Sequence, residues 1–215
     1  VKRCYGDSYP NKLMYDPVQL REAIENKIMH SIVALDGSNV IGQCALTFDG
    51  QHNTSPEAGK MIVDPDYRGH HIAESMAQKR VEIAKHLELP GFWTECVTNH
   101  PFSQHEMIAF GAKETGLMLG VDSASMMQMK GLENFSDTRM SLLAFYLPLT
   151  DISQTIYLPK HHVKFTSDLS KTLKIERRIM DLTQAGHGIS TSTSAVDKLE
   201  STAQIIITHI GDDLH

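Results

Sequence analysis

The segment from Gly59 to Ala73, GKMIVDPDYRGHHIA, carries the clearest chemical signal in the chain. An apolar run, Ala58–Val63, reads as a strand that ends at Asp64-Pro65. A polar turn follows, Tyr67-Arg68-Gly69-His70-His71, and apolar residues at helical spacing begin at Ile72. The first N–H groups of a helix have no partner within it, and the helix dipole adds positive potential there. Such a terminus can hold a pyrophosphate without a lysine. Gly69 lets the backbone come close to a ligand, and Arg68 offers a charged contact. Locally, the segment reads equally as an anion-binding terminus or as a plain strand-to-helix turn. Neither G-x-x-x-x-G-K-[ST] nor G-x-G-x-x-G occurs, so the two common nucleotide loops are excluded.

Two carboxylates lie near this segment in sequence. Glu95 sits inside the apolar run FWTECV, where a carboxylate must be paired or have a shifted pKa unless strand alternation turns it to the wetter face. Glu57 precedes the strand in the polar stretch SPEAG and reads as a base or a surface residue. Thr98, Asn99, His100, Ser103 and Gln104 cluster where the next strand ends and a short helix begins; Asn99 and Ser103 either touch a ligand or cap that helix. Cys4, Cys44 and Cys96 form no C-x-x-C pair, and the latter two read as small buried hydrophobes. The pairs His70-His71 and His161-His162 are adjacent and diverge on any element, and no H-E-x-x-H occurs, so no metal site is expected. Met126-Met127-Gln128-Met129 reads as adaptable packing or as the lining of an apolar pocket.

These side chains need elements to position them. Asp16-Pro17 starts an amphipathic helix running to Ile28, with Val18, Leu20, Ala23, Ile24 and Ile28 on one face. Ser31–Leu35 and Val40–Thr47 flank Asp36-Gly37-Ser38-Asn39 as a hairpin. Ala58–Val63 is a third strand, Ile72–Leu87 a helix stopped by Pro90-Gly91, and Phe92–Val97 a fourth strand. A short helix over Ser103–Phe110 closes at Gly111, and strands follow over Lys113–Leu119 and Met140–Tyr146. Strands and helices in this mixed order imply an α/β sheet covered on both faces. Beyond Pro148 the texture changes: a helix over His161–Leu173 continues near Ile175–Leu182, GISTSTSAV is a linker or edge strand, and Leu199–Ile210 is a strand.

A net charge of −6 and a pI near 6.0 exclude a nucleic-acid scaffold, since no basic stripe replaces phosphate counterions. No apolar run is long enough to span a membrane and no signal peptide opens the chain, so a cytoplasmic protein that binds neither membrane nor nucleic acid is expected. The first residue is Val and the last apolar run has barely begun when the sequence ends, which reads as a fragment or a trimmed chain.

Residues 63–73, VDPDYRGHHIA, resemble motif A of the GCN5-related N-acetyltransferase (GNAT) family, which runs from a strand through R/Q-x-x-G-x-G/A into a helix. Arg68 matches its first position and Ala73 its last, with Gly69 and Ile72 as common companions. His71 stands where the middle glycine is expected. Phe110 to Gly116, FGAKETG, is similar to the family's helix-to-strand segment, with Ala112 in place of the usual Phe. The element order from Asp16 to Tyr146 matches as well.

The resemblance implies a GNAT-fold core at 1–148, a mixed sheet flanked by helices, followed at 149–215 by an α/β extension or the start of a second small domain. It implies acetyl-CoA as co-substrate, no metal, and a small-molecule or peptide amine as acceptor. The pantetheine arm would lie between splayed strands Ala58–Val63 and Phe92–Val97, with a backbone N–H polarising the thioester carbonyl. Its cofactor-binding set is Ile62, Val63, Arg68, Gly69, His70, His71, Ile72 and Ala73, joined by Asn99 and Ser103. A carboxylate, Glu95 or Glu57, would deprotonate the amine directly or through water. The family's catalytic Tyr position is occupied by Met107, which leaves the proton donor to the thiolate unassigned. Those departures keep a second reading open, an acyl-CoA-binding sensor or assembly module without turnover; a general α/β binding domain is a third. Acceptor choice rests with loops such as Asp49–Glu57 and Ser123–Thr138, which carry no recognisable code, and a homodimer is one option for assembly.

Overall fold

Capping and turn chemistry set the first elements. In the computed structural model, which describes residues 1–48, 55–122, 139–150, 153–181, 191–197 and 202–209, a short helix α1 (Lys2–Tyr5) and a 3₁₀ turn (Lys12–Tyr15) precede α2 (Pro17–Glu25). The Asp16 carboxylate accepts from the N–H groups of Val18 (2.9 Å) and Gln19 (3.1 Å), and Pro17 occupies the position where an N–H is not needed. The helix stops short of the expected Ile28. Lys27 takes φ +58 there, and the Ile28 carbonyl accepts from Phe48 N–H at 2.8 Å, so the chain already joins the sheet.

Strands β1 (Met29–Asp36) and β2 (Asn39–Thr47) form the anticipated hairpin, with Gly37 at φ +58 in the two-residue turn. Then follow β3 (Glu57–Val63), α3 (Ile72–His86), β4 (Gly91–Val97), α4 (Phe102–Ala109), β5 (Lys113–Asp122) and β6 (Met140–Pro148). The six strands lie in the order β1-β2-β3-β4-β6-β5. Sequence neighbours pair throughout except at one end, where β6 inserts between β4 and β5 and is antiparallel to both. β3 and β4 are parallel, and their ladder holds a single register pair, Glu57 opposite Trp93.

Apolar residues cover both sheet faces. On one, Leu46, Ala58, Phe92, Phe145 and Leu147 pack with Val81 and Ala84 of α3 and Met107 of α4. On the other, Met29, Ala45 and Ile62 pack with Cys4, Tyr5, Tyr9, Met14 and Ala23 from the N-terminal segment. The three cysteines are buried and free.

The chain forms two compact units, Val1–Asp151 and Ile152–His215. In the second, β7 (Gln154–Leu158), α5 (Lys160–Leu173) and β8 (Arg177–Asp181) make a parallel β-α-β unit. The expected helical continuation over Ile175–Leu182 is overturned: Lys174 ends α5 in the left-handed conformation (φ +56), and the residues beyond it pair with β7. β9 (Thr191–Asp197), within GISTSTSAV, pairs antiparallel with β10 (Thr202–His209). The methionine run at 126–129 and most of the two loops assigned to acceptor choice lie outside the described residues. Among the described residues no helix is long and apolar enough to cross a membrane.

Phe145 is 0% exposed, whereas Leu119 on the edge strand is 78% exposed. We expect Phe145→Ala to lower stability by about 3–5 kcal/mol and Leu119→Ala by about 0.5 kcal/mol or less. Urea unfolding followed by Trp93, the single tryptophan, checks both because it reports on the first unit.

Candidate active site

Backbone conformation prepares the turn between β3 and α3. Asp64, buried at the end of β3, accepts from Asp66 N–H at 3.2 Å and pairs with Arg3 at 2.5 Å. Pro65–Tyr67 makes one 3₁₀ turn, and Tyr67 donates its hydroxyl proton to Asp36 at 2.8 Å, tying the turn to the β1–β2 hairpin. Gly69 then takes φ +80 with open space around it, so its value lies in conformation. His71 also turns left-handed, at φ +58, immediately before α3. A glycine adopts that conformation without strain, and a histidine does so at a cost of order 1 kcal/mol. Its ring is 83% exposed and lies over the first helical turn, Nδ1 2.9 Å from the Glu74 carboxylate. The imidazole makes no capping hydrogen bond to the first N–H groups of α3.

Beside this turn a cleft of about 750 Å³ opens between β3 and β4 and reaches α3, α4 and the N-terminal segment. The cause is the one-pair ladder: beyond Glu57 and Trp93 the facing strand edges are not bonded to each other. Ile62 and Val63 of β3, with Arg68, Gly69, His71, Ile72 and Ala73, border this cleft, as do Glu57, Glu95 and Ser103. His70 and Asn99 are not part of its lining.

The two carboxylates differ in setting. In β4 the burial pattern turns Phe92, Thr94 and Cys96 inward and Trp93 and Glu95 to the opposite face. Glu95 thus lies on the wetter face, as alternation allows, and also lines the cleft. Burial pushes its pKa up, the negative charges of Glu57 and Asp122 push it further, and the Lys60 ammonium offsets part of the rise. Glu57 is instead held in an ion pair with Lys60.

The helical side of the cleft holds a second ion pair that the sequence reading missed. Arg80 of α3 is 3% exposed and donates to Glu106 of α4 at 3.0 Å, with its guanidinium 5.6 Å from the Phe92 ring centre. Its signal was a charge in the apolar stripe of α3, four residues after Met76 and four before Ala84. Burial raises the Glu106 pKa and Arg80 pulls it back. Met107 is buried in the core beside them, a packing residue with no proton to give. At the start of α4, Asn99 Oδ1, His100 Nδ1 and Ser103 Oγ are buried without a hydrogen-bond partner among the described residues. Gln104 donates to the carbonyls of Val97 (2.8 Å) and His100 (3.3 Å), which anchors the helix to β4. Burial lowers the His100 pKa, keeping the ring neutral near pH 7. Burial pushes the Cys96 thiol up to about 11, which suits a packing role. Among the described residues no group of three His, Cys, Asp or Glu side chains could hold a metal ion.

Residues 1–111 match the sequence profile of the acetyltransferase (GNAT) family. Among solved structures the chain is similar to an N-acetyltransferase from Staphylococcus aureus Mu50, at 18% identity and TM-score 0.52, over 62% of this chain and 75% of that one. It is also similar to the ribosomal-protein-S18-alanine N-acetyltransferase from Escherichia coli, at 10% identity and TM-score 0.49, over 61% and 77% of the two chains. A third, an acetyltransferase from Bacillus anthracis str. Ames in complex with acetyl coenzyme A, has 22% identity and TM-score 0.46 over 60% and 68%. No curated protein matches by sequence.

Glu106→Ala leaves the Arg80 guanidinium buried beside an empty place, which we expect to cost about 3 kcal/mol. Arg80→Leu combined with Glu106→Leu should recover most of that loss, because no uncompensated charge remains; thermal melting of the wild type and the two variants checks the pattern.

Proposed function

The chain belongs to the acetyltransferase (GNAT) family, and from that premise we propose that it transfers an acetyl group from acetyl-CoA to a primary amine by direct attack in a ternary complex. The observation that carries this reading is the cleft opened by the one-pair β3–β4 ladder, with a carboxylate of raised pKa, Glu95, on its wall. Acetyl-CoA fits the donor set: the N–H groups at the start of α3 and the Arg68 side chain suit its pyrophosphate, and the unbonded edge of β3 at Ile62 and Val63 suits the pantetheine amides and the thioester.

In this scheme the acceptor enters from the face of the sheet that bears Glu95. Glu95 takes a proton from the acceptor's ammonium, directly or through one water. The freed amine attacks the thioester carbonyl carbon, with a β3 N–H stabilising the negative oxygen, and the carbon–sulfur bond breaks as the thiolate leaves. That thiolate needs a proton, and with Met107 unable to give one, this scheme assigns it to Ser103 of α4 or a water it holds. Asn99, outside the cleft lining, has no part in this scheme.

A second reading, an acyl-CoA-binding module without turnover, is favoured by the buried Met107 and by His71 and Ala112 at family positions usually held by other residues. Thermal-shift titration with acetyl-CoA and with free CoA separates the readings from the absence of any CoA site: no stabilisation by either ligand removes both. Thiol release with a panel of small amines, polyamines and lysine peptides then decides turnover.

We expect Arg68→Glu to weaken CoA binding about tenfold, equivalent to about 1.4 kcal/mol, and unchanged affinity would take Arg68 out of the site. We expect Glu95→Gln to lower kcat by about 10²–10⁴-fold with little change in acetyl-CoA binding. Because the base works only when deprotonated, wild-type activity should rise with pH through a midpoint above 4.5, the ordinary glutamate value. A pH–rate profile lacking that limb would count against Glu95 as base.

A further inference from the structure

Lys60 stands out for burial, backbone and place. Its side chain is 6% exposed, it lines the cleft, and its ammonium is ion-paired with Glu57. In a regular strand, residues three apart point to opposite faces. Here Lys60 takes φ +55 and the β2–β3 register slips between Gln43 and Ala45. That bulge turns the lysine to the side of Glu57. A lysine rarely holds the left-handed conformation, so the surrounding structure must impose it.

The same side carries Glu95. Glu57 stands opposite Trp93, and Glu95 lies two residues along β4 on the face that Trp93 shares. The charged groups acting on Glu95 are Glu57 and Lys60 of β3 and Asp122 of β5. The Glu57 charge makes Glu95 harder to ionise, and without a counter-ion on Glu57 an acceptor's ammonium would be shared between the two carboxylates. A tethered ammonium on one of them removes that symmetry.

We propose that Lys60 divides the roles of the two carboxylates, holding Glu57 as a permanent counter-ion and leaving Glu95 alone to take the acceptor's proton. The inference rests on the acetyl-transfer reading. Lys60 is a positioning residue in it: it never meets the acetyl group, and Glu57 serves as its anchor. The pair also leaves Glu95 as the β4 carboxylate that meets an incoming cation.

The test is a carboxyl ¹³C NMR titration of protein labelled at glutamate, with the Glu95 signal identified by its loss in Glu95→Gln. Lys60→Met should raise the Glu95 midpoint by about one pH unit, and Lys60→Arg should leave it where it is in the wild type. Glu57→Gln keeps the lysine, removes its partner, and should lower the midpoint; it serves also if Lys60→Met does not fold. A Glu95 midpoint unmoved in Lys60→Met, or in Glu57→Gln where that is the measurable variant, overturns the proposal. In parallel, thiol release is followed against pH with spermidine and a lysine peptide as probe acceptors, and its acid limb should track the Glu95 midpoint in each variant. Wild-type protein that binds acetyl-CoA but releases no thiol with any acceptor overturns the transfer reading and this assignment with it. Turnover with an unmoved Glu95 titration overturns the role of Lys60 alone.

Discussion

Two parallel strands that bond to each other at one residue pair govern the first unit. β3 is held along its length by β2 on one side, and β4 by β6 on the other, so each is anchored away from the gap. Glu57 and Trp93 close the gap at one end. Backbone groups left unbonded inside a protein are costly, and a site with a row of them is suited to a ligand that carries its own amides. The cleft, the approach to the start of α3, and the placement of two carboxylates all follow from that interrupted ladder. A continuous β3–β4 ladder would fill the space with hydrogen bonds and leave a plain sheet.

Charge is placed around the gap in opposed pairs. Arg80 and Glu106 join α3 to α4 on the helical side, with the guanidinium over Phe92. Lys60 and Glu57 pair at the root of β3 on the other side. A buried ion in a low-dielectric wall is tolerable when its partner is in reach, so both pairs leave the lining close to neutral. Glu95 stands apart from them, with its pKa raised by burial and by its acidic neighbours.

The elements from Asp16 to Tyr146 were legible because their signals are local. Asp16-Pro17 caps a helix, Gly37-Ser38 turns a hairpin, and apolar residues from Ile72 repeat at helical spacing whatever lies across from them. The short α1 and the 3₁₀ turn lack enough residues to show a period. The region after Leu173 was misread because Arg177–Asp181 has no strong preference of its own, and its strand exists through pairing with β7. Arg80 was visible as a charge on an apolar stripe, but its partner lies 26 positions away on another helix.

The sequence by itself determined the strand–turn–helix at Val63–Ala73, the family it resembles, and the alternation that puts Glu95 and Phe92 on opposite faces of one strand. These depend on residues near one another along the chain, where steric preference and periodicity decide. Tertiary structure alone decided that β6 lies between β4 and β5, that β3 and β4 share one pair, and that Lys60 reaches Glu57. Strand order is set by pairing across long loops, which no local preference encodes. The Lys60 contact needed a bulge that reverses the two-residue period, so alternation read from the sequence would have sent the lysine to the other face.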